Sequence, residues 1–289
     1  MTKKDKITYG KVYSKFNNRV ERYALNFFFK TLKSQSRVIK TFLNEYPLEY
    51  LLSQINSIIQ EETFKTAFNE FYPKVGKTFL KFHKEQFKLS SQKDKNPTDA
   101  INISFRDAEK IAELAKISTL KEVADKVTKI TQHTRDLIRE TIEKGIAANK
   151  TKKQIADEIL SKTGGAIAKK RALTIARTET TFINSKAAEI NVQDSPFKLD
   201  KAWIPVSDMR TREAHLNMLG HKPIKKEEMF VVGGEQMMYP ADPSGSAANV
   251  VNCRCAIVYL PSPNQEQVLP QTGIISNLLV SQLITELFG

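Results

Sequence analysis

The sequence predicts an α+β protein, built as an extended α-helical amino-terminal region, a small α+β domain and a short apolar terminal helix. Three observations lead there. From about Asn17 to Leu89 apolar residues recur at three- and four-residue spacing and glycine is almost absent. Beyond Pro196 short runs of β-forming residues, separated by turn formers, replace that pattern. The end of the chain returns to helical spacing. The predicted boundaries are a helical region over 1–165 with a linker near 89–102, an α+β domain over 166–260, and a linker with a terminal helix over 261–289.

In the first region, "ERYALNFFFKTLKSQSRVIKTFLNEYP" places Leu25, Phe28, Phe29, Leu32, Val38 and Phe42 on expected buried faces. Pro47 interrupts this helix, and a second run is expected to continue to Pro73, because proline lacks the N–H of a helix interior. The polar stretch from Leu89 to Asn102 has little apolar periodicity and reads as a linker. Val123, Val127, Ile130, Leu137 and Ile138 then resume helix spacing, with Gly145 as an end or a weak point. Thr151 is placed to cap a short helix that stops at Gly164. A long Ala-rich helix follows Gly165.

The last third changes character. "DKAWIPV", "MFVVGGEQMMYP" and "CAIVYLP" read as strands, with Gly233 and Gly234 at a hairpin turn. "TREAHLNMLG" reads as a short helix ending at Gly220. The terminal "GIISNLLVSQLITELFG" is too short to span a bilayer, and its apolar face needs a protein partner or groove.

Composition narrows the function classes. The 289 residues carry a formal net charge of +13 and a pI near 9.5, which favours a polyanionic partner, either nucleic acid or an acidic protein surface. The basic start lacks a following apolar run, so no secretory signal is expected. With only two cysteines, one residue apart, no disulfide framework is available. Glycine-rich phosphate loops, H-E-x-x-H helices and G-x-S-x-G elbows are absent from the sequence.

The residues able to carry chemistry cluster late. Arg177, Thr181, Asn184 and Ala188 share one helix face, with Glu179 elsewhere around the turn. Asp208, Arg210, Arg212, His215 and His221 gather around a turn and the short helix, where Asp208 suits a turn acceptor. Asp242 and Pro243 set a rigid bend. Cys253 and Cys255 are expected to share one face of a strand with Arg254 on the other. With His215 they give three zinc donors, and Asp208 or His221 a fourth, without a C-x-x-C pair. A Cys–His nucleophile and a pair of buried thiols are the other readings, and the last is preferred.

The ordered segments "ARTETTFINSKAAE", "WIPVSDMRTREAHLNMLG" and "YPADPSGSAANVVNCRC" resemble the phage head morphogenesis family, the Mu F-like minor head proteins of tailed phages. The resemblance covers about Ala166 to Leu260. Its residues are Arg177, Glu179, Asn184, Trp203, Asp208, Arg210, Arg212, His215, Gly220, Asp242, Pro243, Asn252, Cys253, Arg254 and Cys255. It implies a non-enzymatic minor head protein in the capsid interior near the portal vertex, in several copies per virion and present in the host cytoplasm during assembly. The implied partners are the portal protein, the major capsid protein and double-stranded DNA without sequence preference. Some relatives carry a C-x-x-C where this chain has "DMRTREAH", so the resemblance does not favour zinc here and no cofactor is expected. The competing readings are a toxin-like transferase or nuclease on a head-morphogenesis domain, and a stand-alone DNA-binding module.

Overall fold

The computed structural model describes residues 1–91, 107–195 and 197–262. The predicted linker core and the predicted terminal helix lie outside them. Seven helices come first: α1 (Lys3–Glu45), α2 (Leu48–Ile58), α3 (Glu62–Ser91), α4 (Asp107–Lys116), α5 (Lys121–Ala147), α6 (Lys152–Gly164) and α7 (Ala166–Asn191). Short elements follow: β1 (Leu199–Ile204), α8 (Glu213–Leu216), β2 (Ile224–Lys225), β3 (Phe230–Val232), β4 (Glu235–Met237), α9 (Ala247–Val250) and β5 (Ala256–Pro261). No described helix is long and apolar enough to cross a membrane. The predicted mixed α+β class, mostly helical, is the one observed.

The chain forms two compact units, each assembled from segments on both sides of residue 165. The first comprises Met1–Arg22, Phe71–Lys116 and Arg177–Gly289, the second Tyr23–Glu70 and Ile117–Ala176. The second unit is wholly helical in its described elements. Its core is aliphatic: Ile39, Leu51, Ile55, Ile59, Ile138, Ile142, Ile155 and Ile159 are buried together, with Phe42 and Leu43 packed against them. Val38, expected inside, is 48 % exposed while Ile39 is buried, one position round the helix. Thr151 caps α6 in a reciprocal box with Gln154. Gly145 lies inside α5 rather than ending it, and a Cβ there would stand 2.5 Å from Ile155 Cγ1. It is therefore a close-approach residue that lets α5 and α6 meet.

The first unit has an aromatic core. Phe16 stacks on Phe82 at 4.6 Å and meets Phe79 edge-on at 5.4 Å; Tyr9 and Tyr13 complete the group. The expected stop at Pro73 is corrected: α3 runs through it, and the break falls before Glu62. Pro73 deprives the Asn69 carbonyl of its helical donor, but Asn69 is exposed and water can satisfy it. Meanwhile Phe71, Tyr72, Val75 and Phe79 are fully buried around the proline, which outweighs the lost bond.

Within α7 every residue from Thr178 to Ser185 is buried. A helix covered on all faces is a core element, so the single polar stripe expected there is not the organising feature. The small domain after α7 is built on an antiparallel sheet of order β2-β1-β5, with Trp203 opposite Ile257, and a separate hairpin β3-β4. Gly233 and Gly234 adopt φ of 60° and 82°, as a tight hairpin turn requires.

Candidate functional site

The site begins with Trp203 on β1, fully buried and held edge-on between two rings: His215 at 5.5 Å and Phe230 at 5.5 Å. His215 stands on α8, a single turn. Thr211 does not share that helix, as had been expected; it lies in the preceding turn, where its hydroxyl donates to the Val206 carbonyl.

Cys253 and Cys255 precede β5 rather than lying in it, yet their thiols converge as alternation predicts. His215 Nδ1 is 3.6 Å from Cys253 Sγ and 3.4 Å from Cys255 Sγ, and its Nε2 is 3.4 Å from Asn249 Oδ1. Asn249 in turn donates to the Val232 carbonyl at 3.2 Å. The three donor atoms lie within 4.8 Å of one another, and all three residues are buried. The Cys255 thiol favours the Cys253 thiolate by hydrogen bonding and His215 adds to it, so the Cys253 thiol is held below its usual range. Burial and the neighbouring sulfur push Cys255 up, partly opposed by the adjacent Trp203 indole, whose N–H lacks a well-formed hydrogen bond.

Asp208 does not join this trio. Its carboxylate takes a bidentate pair from Arg254, with Nη1 at 2.6 Å and Nη2 at 2.7 Å, and further bonds from the Arg210 side chain and backbone N–H, both at 3.0 Å. The Arg254 guanidinium, only 7 % exposed, holds the Asp208 carboxyl well below the usual carboxylate range. As a zinc ligand Asp208 would have to abandon that pair. Nor does His221 join the trio, since its imidazole is not among the donors that cluster with the two thiols. The described residues therefore offer three of the four donors a closed zinc site uses.

The other predicted residues knit segments together. Arg212 donates to the carbonyls of Val251 and Asn249. Asp242 accepts from the N–H of Met238 at 2.6 Å and of Ser244 at 2.9 Å, closing the bend in which Pro243 sits. Asn252 adopts φ of 60°, a conformation asparagine tolerates, and its N–H donates to Thr178. Gly220 ends the turn after α8 with its N–H on the Asn217 carbonyl.

Partners distant in sequence could not be read from spacing. The Glu21 carboxylate pairs with Arg177 at 3.3 Å and accepts from Asn17, which accepts from Tyr13. Burial nevertheless raises the Glu21 carboxyl. Tyr72 donates to Glu179 at 2.6 Å, His83 meets Asn184 at 2.8 Å, and Thr181 donates to the Cys253 carbonyl at 2.5 Å. Buried Lys6 and Lys201, neither singled out in the sequence, donate to backbone carbonyls, and burial lowers each to about 8.

Chemically, this is a closed polar network. The reactive types are present, but the His–Cys trio is only 1 to 2 % exposed.

A search of curated proteins finds no match, and neither does a search of solved structures. Residues 132–258 match the family model described as Phage Mu protein F like protein. The matched segment starts within α5, ahead of the expected Ala166, since the earlier helices carry helix spacing but no distinctive polar motif. It encloses every motif residue named above, and over that segment the chain is similar to the phage head morphogenesis family.

Proposed function

We propose that this chain is a structural minor head protein of a tailed phage, seated inside the capsid by the portal protein and contacting packaged DNA. One observation carries the structural reading: the polar residues of the family segment are used up in internal pairing. Asp208 is spent on Arg254, and His215 on the two thiols and Asn249. An enzyme needs such groups open to substrate. Cys253, with its lowered thiol beside His215, is the one feature favouring a nucleophile, and its burial opposes that role. On this reading the trio is a packing element without zinc.

The DNA contact draws on charge segregation. Residues 1–165 contain 32 Lys and Arg against 20 Asp and Glu, whereas residues 166–289 are nearly balanced, with 13 against 12. Phosphate contacts of this kind confer salt-sensitive affinity without reading sequence. The test is purification of virions and co-expression of the full chain with the portal protein. Co-elution, and density for this chain at the portal vertex, are expected; a chain absent from virions, or one that hydrolyses or modifies a substrate through His215, overturns the proposal.

A further inference from the structure

We propose that the second unit holds a cleft for the phosphate backbone of double-stranded DNA, formed by Lys30, Lys33 and Arg37 of α1 beside the Gly164–Gly165 junction where α7 begins. The proposal rests on the DNA-contact reading above and gives that contact a place.

The cleft has a volume of about 680 Å³ and no carboxylate in its lining. Lys30, Lys33 and Arg37 follow one another at i, i+3 and i+7, so they form one ridge of α1, and Lys40 extends it. All four are exposed. The opposite face of the helix is committed to the interior through Phe28, Leu32 and Ile39. Several other cations of the unit are matched by acids: Lys65 with Glu61, Arg139 with Asp136, Lys144 with Glu140, and Lys150 with Glu158. The four ridge cations have no such carboxylate among the described residues. Lys33 instead lies over the Phe29 ring at 5.2 Å.

The wall beside the ridge requires glycine. A Cβ on Gly164 would lie 2.6 Å from Ser36 Oγ, and one on Gly165 would lie 2.5 Å from the Ser161 carbonyl oxygen. Gly164 therefore lets the α6–α7 junction close onto α1 next to Arg37, while Gly165 lets the chain turn tightly past the end of α6. Gly165, immediately before α7, has no side chain with which to cap the first-turn N–H groups of that helix. Those donors and the positive end of the helix dipole add to the three cations at one border of the cleft.

Ridge length identifies the occupant. Lys30 to Lys40 covers roughly 15 Å of helix, and a DNA strand presents a charge about every 3.4 Å of rise. The ridge thus runs alongside about four to five successive phosphates of one strand, where a free phosphate ion would engage only one end. The absence of a carboxylate or amide acceptor among the lining side chains argues for backbone contact over base reading.

The test measures binding of the full chain to random-sequence duplex DNA across a salt series. The variant Lys30→Gln/Lys33→Gln/Arg37→Gln is expected to weaken binding at least about tenfold at low salt and to lower the slope of log K against log salt by about 2 to 3. A control, Lys121→Gln/Lys129→Gln/Lys153→Gln, removes the same charge from exposed positions of the same unit and is expected to change the slope much less. Ala166→Glu places a carboxylate in the first turn of α7, which favours the helix but repels phosphate, so DNA affinity is expected to fall while Tm holds. If both triple variants lose equally, or neither loses, the cleft is refuted while the DNA reading stands. If the unaltered chain binds no DNA at low salt, both fail. Competition by millimolar inorganic phosphate at matched ionic strength would assign the cleft to a free anion and overturn the DNA occupant.

Discussion

Replacing Asp208 by Asn tests the ion pair that closes the family segment. The substitution keeps shape and one carbonyl oxygen but leaves the Arg254 guanidinium, 7 % exposed, without its counter-charge. Breaking a fully buried pair costs roughly 3–5 kcal/mol. Asp208 is 32 % exposed, so water screens the pair and the expected cost is nearer about 2 kcal/mol. Arg254→Met removes the charge from the buried side and leaves Asp208 with Arg210 and solvent, so about 1 kcal/mol is expected. The double variant has no stranded cation and should cost less than the two singles together, with a coupling above about 1 kcal/mol. Urea unfolding followed by the fluorescence of Trp203, the only tryptophan, reports on this unit directly. Strictly additive single and double variants would refute the argument that Asp208 and Arg254 act as one unit.

Three further outcomes are expected. His83, buried against Asn184 and lowered to about 4 by burial, stays neutral in the folded chain at pH values where its unfolded counterpart protonates. The unfolded state then binds more protons, so stability is lost as pH falls from about 6.5 towards 4, by up to about 3 kcal/mol. His83→Gln should flatten that window in urea melts at stepped pH, whereas Asp208 should contribute a separate loss only below about pH 4, since its folded carboxyl is depressed. Gly145→Ala gains about 1 kcal/mol of helix propensity but drives a methyl to 2.5 Å from Ile155 Cγ1. Overpacking of about 1–3 kcal/mol should win, and a rise in Tm would contradict the close-approach reading. Cys253 and Cys255 should resist a thiol reagent in the native chain and react in urea, and metal analysis should find no stoichiometric zinc; a full equivalent would make the trio a metal site.

The outline of the fold was legible because local rules dominate it. Thr151 and Gln154 form their capping box, and Gly233–Gly234 makes its turn, from neighbours within four residues. The misplaced stop at Pro73 has the opposite cause: the burial of Phe71, Tyr72 and Val75 overrode a local helix breaker.

The same distinction runs through the site. By itself the sequence carried the family resemblance, through an ordered set of residues from Arg177 to Cys255, and the side on which the two thiols would emerge, through the alternation of an extended backbone. Tertiary structure alone decided what those residues do to one another: that Asp208 is taken by Arg254 rather than by His215 and the thiols, that Glu21 reaches Arg177, and that His83 meets Asn184. Such pairings join positions 46, 156 and 101 residues apart. No periodicity spans those separations, because they are fixed by which helices and strands bury their apolar faces together, and only then by the charges those faces carry inward.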